Sequence, residues 1–296
     1  MNDLADQFNV NIIGVGNMGG GMARNLLAQG WAVGVDDLET VKVESLRKMG
    51  AFSSGTRQYI ATKKVVIIIC VVTAEQTEQV LLGPQGIAKD LPLGATVMLC
   101  PTMAPEDVER FALALTAQGL HTMDAPMSGG PARAADGSMS LMVACAPNVW
   151  ARCEPLLNAL SNKLFRISEK VGDAARTKLV NNLVAGINLV GAAEGLAMAQ
   201  KMGLNWAKTL DVIEQSSGQS WIGSDRMRRA LVADYAPRAH MTLLEKDTRL
   251  AVQAATSAGF SGPLGLAASQ VFAAASADGL HDLDDAAVLK WLSERR

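Results

Sequence analysis

The sequence has few cysteines, few histidines and almost no net charge, and each scarcity excludes a class of protein. A formal net charge of −2 over 296 residues gives no electrostatic case for nucleic acid or for an anionic membrane surface. The three histidines are scattered and the four cysteines show no C-x-x-C spacing, so we expect no metal and buried, reduced thiols. Small metabolites are therefore the expected partners.

The beginning of the chain also lacks the features of a targeting segment. Residues 1–9 contain no lysine or arginine and no apolar run, so a secretory signal is not expected and the predicted location is the cytoplasm. We find no internal repeat and no low-complexity tract. A chain of 296 residues exceeds the usual size of one domain, which predicts two.

A glycine-rich loop follows the first apolar run, residues 10–13. Glycine permits a tight turn there and lets backbone N–H groups approach a pyrophosphate closely. The helical pattern that follows would point its N-terminus at the phosphates. The sequence therefore predicts a dinucleotide-binding loop. Its residues are Gly14, Val15, Gly16, Asn17, Met18 and Gly19.

The next predicted strand, residues 31–35, ends in the acidic pair Asp36-Asp37, about 20 residues past the glycines. A carboxylate at this position can accept hydrogen bonds from the adenosine ribose. A carboxylate there would repel a 2′-phosphate, and Leu38 stands where a phosphate-binding arginine could otherwise sit. The sequence thus favours NAD over NADP. Strand alternation favours Asp37 as the ribose acceptor, and Asp36 is assigned to the same cofactor site or to capping the next helix.

Strand-like and helical runs continue to alternate through the first half of the chain, which predicts a mostly parallel sheet. Loops at the carboxyl ends of such strands face the cofactor, so Val72 and Thr73 are assigned to cofactor binding. The further predicted strands are residues 64–72, 96–100, 121–126, 138–144 and 164–167.

One loop in this half offers a hydroxyl and consecutive backbone N–H groups without obstructing side chains, at Ser128, Gly129 and Gly130. This geometry suits a carboxylate. An ordinary glycine-rich turn is the alternative for the segment alone. Beside a dinucleotide fold, anion binding is favoured, which predicts a substrate with a carboxylate.

Helical periodicity dominates after residue 167, so the predicted domains are residues 1–169 and 170–296. A helix is expected over residues 173–202, roughly 45 Å long and apolar or small on most faces. Asn188 and Glu194 interrupt its apolar run, which argues against a membrane span. The large apolar surface of the helix instead favours association between subunits. Lys246 and Asp247 predict an exposed helix face.

Lys178 and Asn182 lie four residues apart in this helix and should share one face. A buried ammonium needs a partner or a function, and desolvation lowers the pKa of a lysine toward the range useful for proton transfer. Alone, the pair favours a lysine that extends its ammonium to water at a helix end and an asparagine that bonds the backbone. With the two glycine loops, it favours a catalytic Lys178 that contacts substrate together with Asn182.

These motifs, in this order and at these separations, resemble the β-hydroxyacid dehydrogenase family over nearly the whole chain. The resemblance implies a Rossmann domain joined by a long helix to an all-α domain, a homodimer or homotetramer, and NAD(P)-linked oxidation of a small hydroxy acid. It also implies that Lys178 is catalytic, that Asn182 and the Ser128–Gly130 loop hold substrate, and that Thr102 and Lys246 match cofactor positions.

The C-terminal half, with Ser220-Trp221 and Asp284-Asp285, is most similar to the L-threonate branch of that family. L-Threonate or a related four-carbon sugar acid is therefore the expected substrate. Reduction of tartronate semialdehyde and oxidation of 3-hydroxyisobutyrate are alternatives. An imine reductase shares the scaffold but typically lacks the lysine. A non-catalytic dinucleotide-binding regulator would not need the Lys178 and Asn182 pair.

Overall fold

The computed structural model describes residues 8–53 and 64–295. Residues 1–7, on which the expectation about a targeting segment mainly rests, lie outside that range. Contacts within the backbone divide the chain into two compact units, the first ending at Lys178 and the second beginning at Leu179. The domain limits 1–169 and 170–296 stay a prediction.

The first unit is built on a sheet of mostly parallel strands, in the order β3-β2-β1-β4-β5-β6-β8-β7, with β9 also paired to β8. Within the described sheet, the antiparallel pairs are β8 with β6 and β8 with β7, whereas β9 lies parallel to β8. The predicted Rossmann architecture is confirmed, while the two-residue strands β3 and β7 were not expected. The strands are β1 Phe8–Ile13, β2 Val33–Asp36, β3 Phe52–Ser53, β4 Lys64–Ile69, β5 Thr96–Leu99, β6 His121–Asp124, β7 Met127–Ser128, β8 Ser140–Ala144 and β9 Lys163–Ser168.

Helices cover both faces of the sheet, which explains why its central strands are apolar throughout. In β4, Val66 and Ile68 pack into one core, and Val65, Ile67 and Ile69 pack into the core on the opposite face. A parallel strand covered on both sides cannot alternate apolar and polar residues. The helices are α1 Asn17–Ala28, α2 Thr40–Arg47, α3 Ala74–Leu82, α4 Pro105–Thr116, α5 Gly130–Asp136 and α6 Pro147–Leu160.

Helix α7, Asp173–Lys201, runs through the division between the units and matches the long helix that the sequence predicts. The second unit is helical, as expected, with one isolated bridge between His240 and Asp284 in its described part. Its other helices are α8 Trp206–Glu214, α9 Trp221–Ala230, α10 Met241–Ser257, α11 Pro263–Ala275 and α12 Val288–Glu294.

By length and composition alone, α7 could cross a membrane, with a mean hydropathy of 1.3. Its packing in the second unit is that of a core helix. Leu189, Ala193 and Leu196 are fully buried, and a Cβ at Gly186 would lie 2.6 Å from Cγ2 of Thr248 on α10. Glycine therefore lets these two helices approach closely.

Candidate active site

The glycine-rich loop joins β1 to α1, as the sequence predicts. Gly14 has a φ of +89°, and a Cβ there would lie 2.7 Å from the carbonyl oxygen of Cys70. A Cβ at Gly19 would collide with the carbonyl oxygen of Gly14. Both positions therefore require glycine, because neither the turn nor the start of α1 leaves space for a side chain.

The middle glycine of this loop leaves room for a ligand. Gly16 is the N-cap residue of α1, and no heavy atom of the described chain lies within 4 Å of its Cβ position. The helix begins at Asn17 without an acidic residue in its first turn. Backbone N–H groups and the helix dipole favour an anion at such a helix start. Together with Val15 and Met18, these residues fit the pyrophosphate of a dinucleotide.

The two aspartates at the end of β2, Asp36 and Asp37, occupy different environments. Asp36 ends the strand with an exposed side chain. The Asp37 carboxylate accepts the backbone N–H of Val15 at 2.7 Å and that of Glu39 at 2.9 Å. Glu39 is the N-cap residue of α2, so the option that Asp36 caps this helix is wrong. Asp37 instead ties the end of β2 to the glycine loop.

Two further loops predicted to contact cofactor follow β4 and β5. Val72 is 47% exposed and donates its N–H to the Gln76 side chain at 2.8 Å. The Thr73 hydroxyl accepts the N–H of Gln76, so Thr73 and Gln76 form a capping box that starts α3. Thr102 is half-buried between β5 and α4. The fold thus brings both loops to the edge of the sheet where β1 ends, at the glycine loop.

The segment predicted to bind a carboxylate begins where β7 ends. Ser128 lies opposite Ser140 of β8, and Gly129 and Gly130 follow with φ values of +128° and +77°. A Cβ at Gly129 would lie 2.8 Å from Cδ of Arg133, whereas no described heavy atom lies within 4 Å of the Cβ position of Gly130. The backbone of Gly130 is therefore the open part of this loop.

Asp124 connects this part of the sheet to the helix that carries the lysine. It ends β6, is 1% exposed, and accepts the N–H groups of Gly172 at 2.9 Å and of Ala175 at 3.0 Å. Burial raises the pKa of Asp124 to about 6, although the hydrogen bonds from Ala175 and Gly172 favour its ionised form. A buried carboxylate thus holds the first turn of α7.

Lys178 and Asn182 lie one turn apart on α7, which confirms that they share one helix face. Both are buried, with exposures of 6% and 7%. A lysine extended to water is therefore excluded as the explanation for Lys178, because its side chain is withdrawn from solvent. Its catalytic role stays a prediction.

Asn182 belongs to a polar cluster in the second unit. Its amide donates to Oδ2 of Asp247 at 2.5 Å, and Nζ of Lys246 lies 2.8 Å from the other carboxylate oxygen, an ion pair that is not aligned as a hydrogen bond. Asp247 is 7% exposed. The prediction of an exposed Lys-Asp face is therefore wrong: the Asp247 carboxylate is buried and contacts both Asn182 and Lys246.

The thiols carry no sign of nucleophilic chemistry. Cys100, Cys145 and Cys153 are buried and Cys70 is half-buried, and all four are free. Burial raises the pKa of Cys70 and of Cys145 to about 12, so both are protonated at neutral pH. Within the described residues, no group of three or more His, Cys, Asp or Glu side chains is arranged for a metal ion.

Sequence reasoning missed three residues that organise these loops. Gln76 could have been found, since a threonine three residues before a glutamine is the spacing of a capping box. Asp124 lies within the predicted strand of residues 121–126, but nothing local indicates its contact with α7. Asp247 was assigned to a solvent-facing surface because charged pairs on helices usually are exposed.

A glycine loop at the end of β1, an acidic pair at the end of β2 and a buried lysine on α7 indicate a dinucleotide-dependent oxidoreductase. Two family models match the chain. The NAD-binding domain of 6-phosphogluconate dehydrogenase matches residues 9–168, and the NAD-binding domain of NADP-dependent 3-hydroxyisobutyrate dehydrogenase matches residues 172–292.

Dehydrogenases from other organisms match this chain over almost its full length. L-threonate dehydrogenase of Escherichia coli O6:H1 is 34% identical over 97% of this chain and 95% of its own. 3-Hydroxyisobutyrate dehydrogenase of Pseudomonas aeruginosa is 33% identical over 95% and 97%. The crystal structure of a 3-hydroxyisobutyrate dehydrogenase from Salmonella typhimurium, 34% identical, superposes with a TM-score of 0.89 over 96% of this chain and 99% of that one.

The chain therefore belongs to the 3-hydroxyisobutyrate dehydrogenase family of β-hydroxyacid dehydrogenases. It is a hydroxyacid dehydrogenase with a nicotinamide adenine dinucleotide as cofactor. The family resemblance, the fold class and the enzyme class that the sequence predicts are all confirmed.

Proposed function

We propose that this chain is an NAD-dependent dehydrogenase of L-threonate or a related four-carbon sugar acid, with Lys178 as general acid and base. The observation that carries the proposal is a lysine withdrawn from solvent, at 6% exposure, one helical turn before an equally buried asparagine. In a hydroxyacid dehydrogenase such a lysine can move the proton that accompanies hydride transfer. The similarity to L-threonate dehydrogenases supports the substrate class.

In the proposed mechanism, Lys178 accepts the proton of the substrate hydroxyl during oxidation and returns it during reduction. A dinucleotide held by the Gly14–Gly19 loop would supply the hydride chemistry at the carbinol carbon. Asn182 hydrogen-bonds the reacting oxygen, while Ser128 and the glycine backbone after it hold the carboxylate. Fixing both ends of a small acid in this way orients its reacting carbon.

The preference for NAD over NADP rests on the acidic pair after β2. Asp36 presents an exposed carboxylate at the end of the strand, and Asp37 carries a second one against the phosphate loop. Two negative charges in this place would repel a 2′-phosphate. Thr73, Thr102 and Lys246 are proposed as further cofactor contacts.

We also propose that the enzyme works in the cytoplasm as a homodimer or homotetramer, without nucleic acid or a membrane as partner. The exposed face of α7 supports association, since Val180, Val184 and Met198 are each more than half exposed. A line of exposed apolar side chains on one helix is typical of a surface that another protein chain covers.

The test of function is a screen of the purified full chain with NAD and with NADP. We expect NADH formation with L-threonate or erythronate, and slower formation with glycerate or 3-hydroxyisobutyrate. Tartronate semialdehyde is tested in the reverse direction with NADH. Tight NAD binding without turnover of any of these acids would instead indicate a regulator.

The test of mechanism is substitution of Lys178. Lys178→Ala and the similarly long Lys178→Met should both lower kcat by ~10²–10⁴-fold with NAD affinity nearly unchanged, the usual worth of general acid–base catalysis. Lys178→Arg should not restore activity because a guanidinium stays protonated. Lys201→Ala, which removes an exposed lysine from the same helix, is the control.

The pH profile of oxidation gives a second criterion. The oxidation rate of the wild type should rise with pH, and this rise should be absent from the residual rate of Lys178→Ala. Retention of most activity in Lys178→Ala would make the lysine structural and would refute the mechanism.

A further inference from the structure

We propose that Asp124 is a positioning residue for this reaction: it fixes the helix turn before Lys178 relative to the loop that holds the substrate carboxylate. The inference rests on the proposed function of Lys178 and the Ser128–Gly130 loop. It concerns a residue that would not itself contact substrate or cofactor.

The Asp124 side chain connects the strand before the Ser128–Gly130 loop to the first turn of α7. Asp124 is the last residue of β6, and the chain continues directly into the Ser128–Gly130 loop. Its carboxylate accepts the N–H groups of Gly172 and Ala175, at 2.9 Å and 3.0 Å. Lys178 follows Ala175 by three residues, which is about 4.5 Å along the helix axis. A shift of the first turn of α7 would therefore displace Lys178.

The other contacts at this end of α7 are weaker constraints. Arg176 pairs with Glu109 of α4 at 2.8 Å and with Asp173 at 3.1 Å, but these side chains are 32–41% exposed. Exposed ion pairs typically contribute little to stability. Asp124 is 1% exposed and accepts backbone N–H groups, so water cannot take the place of its carboxylate without a change in the packing.

The raised pKa of Asp124 indicates that its negative charge does not stabilise the fold at neutral pH. Because burial raises the pKa of Asp124 to about 6 from 3.8, the folded protein keeps a proton here that the unfolded chain has released. This contribution favours folding at low pH and is lost as pH rises through about 6. At neutral pH the ionised carboxylate is therefore a net cost, and a neutral side chain of the same shape should be tolerated by the fold.

The experiment compares Asp124→Asn and Asp124→Ala with Asp173→Asn. The control removes a carboxylate from the same helix turn, but one that is partly exposed and bonded to the Ser168 hydroxyl at 2.8 Å. We expect kcat to fall about tenfold for Asp124→Asn and up to ~10²-fold for Asp124→Ala, the size of effect that a misplacement of about 1 Å can have. The NAD dissociation constant and the Tm of Asp124→Asn at neutral pH should be unchanged or improved, and the control should retain its kcat.

Two readouts separate positioning from a purely structural role. Amide hydrogen exchange in residues 171–178 should be faster in Asp124→Asn at unchanged Tm, because a neutral amide oxygen accepts the N–H groups of Gly172 and Ala175 more weakly than a carboxylate oxygen does. In the reduction direction, where Lys178 must be protonated, wild-type kcat should fall as pH drops below about 6, and Asp124→Asn should lack this limb.

The groups around Asp124 do not produce that acid limb themselves. Cys100, after β5, and Cys145, after β8, have pKa values raised by burial and stay neutral. Asp173, on the same turn of α7, is removed in the control variant. Glu109, on α4, faces the turn through its pair with Arg176. Glu109→Gln should therefore retain the acid limb.

The possible results divide clearly. Unchanged kcat in both Asp124 variants, while Lys178→Ala is inactive, would overturn the positioning role alone. Retained activity in Lys178→Ala would overturn the proposed function instead. If Asp124→Ala does not fold, Asp124→Asn decides the question, and a kcat loss in Asp124→Asn that merely follows a lower Tm would also refute positioning.

Discussion

The contribution of Asp247 to the free energy of unfolding follows from its contacts with Asn182 and Lys246. Asp247→Ala would remove an acceptor of the Asn182 amide and an ion-pair partner of the Lys246 ammonium. A buried donor without an acceptor costs ~1–3 kcal/mol, and loss of one partner from a buried ion pair costs ~3–5 kcal/mol. Lys246 is 16% exposed and keeps some hydration, so the lower end applies. We expect a loss of about 3 kcal/mol in the free energy of unfolding.

The assay is denaturant unfolding of the chain without cofactor. Asp247→Asn retains the shape and one acceptor oxygen, so it should lose only about 1–2 kcal/mol. Asp282→Ala, at an 87% exposed carboxylate of the second unit, should stay within ~0.5 kcal/mol. The substrate KM should rise in Asp247→Ala, where the Asn182 amide is no longer held, and should rise less in Asp247→Asn, which keeps an acceptor for that amide. A loss below ~1 kcal/mol in Asp247→Ala would refute the reasoning.

The remaining predictions concern the two ligand loops. Asp37→Ala should weaken NAD binding and relieve repulsion of NADP, with Asp36→Ala as the comparison for the exposed carboxylate; a wild type that prefers NADP in kcat/KM would contradict the assignment. Gly130→Ala should raise the substrate KM about tenfold with NAD affinity near normal, since its Cβ would project into the open part of the loop. Equal weakening of both ligands would assign the loop to the cofactor or to folding.

Gly130 is a better probe of the carboxylate loop than Gly129. A larger residue at Gly129 would strain a φ of +128° and press against Cδ of Arg133 at 2.8 Å, so its effect would report on folding. Gly130, at +77°, lies in the left-handed region, which alanine can adopt at a cost of roughly 1–2 kcal/mol. The distinction depends on the direction of a Cβ bond, which no sequence pattern contains.

Local periodicity was enough to predict most of the fold. The apolar run of β4 indicated a strand buried on both faces, and its alternate residues do pack into two different cores. Met127 and Ser128 form a strand of only two residues, held by pairing with Leu141 and Ser140. So short a strand has no periodicity of its own, and tertiary pairing alone defines it.

The parts of the site that sequence could not supply are the contacts between distant segments. Asp37 bonds to a backbone group 22 residues away, Asp124 to one 48 residues away, and Asp247 to a side chain 65 residues away. Periodicity and capping rules operate within about one helical turn, so none of these partners could be inferred. Each carboxylate nevertheless holds a segment with a proposed ligand role: the phosphate loop, the turn before Lys178, and Asn182. Because a carboxylate can accept several hydrogen bonds at once, it can hold groups that no local element brings together. Removal of these acids should therefore alter ligand binding or turnover even where the ligand itself is not in contact with them.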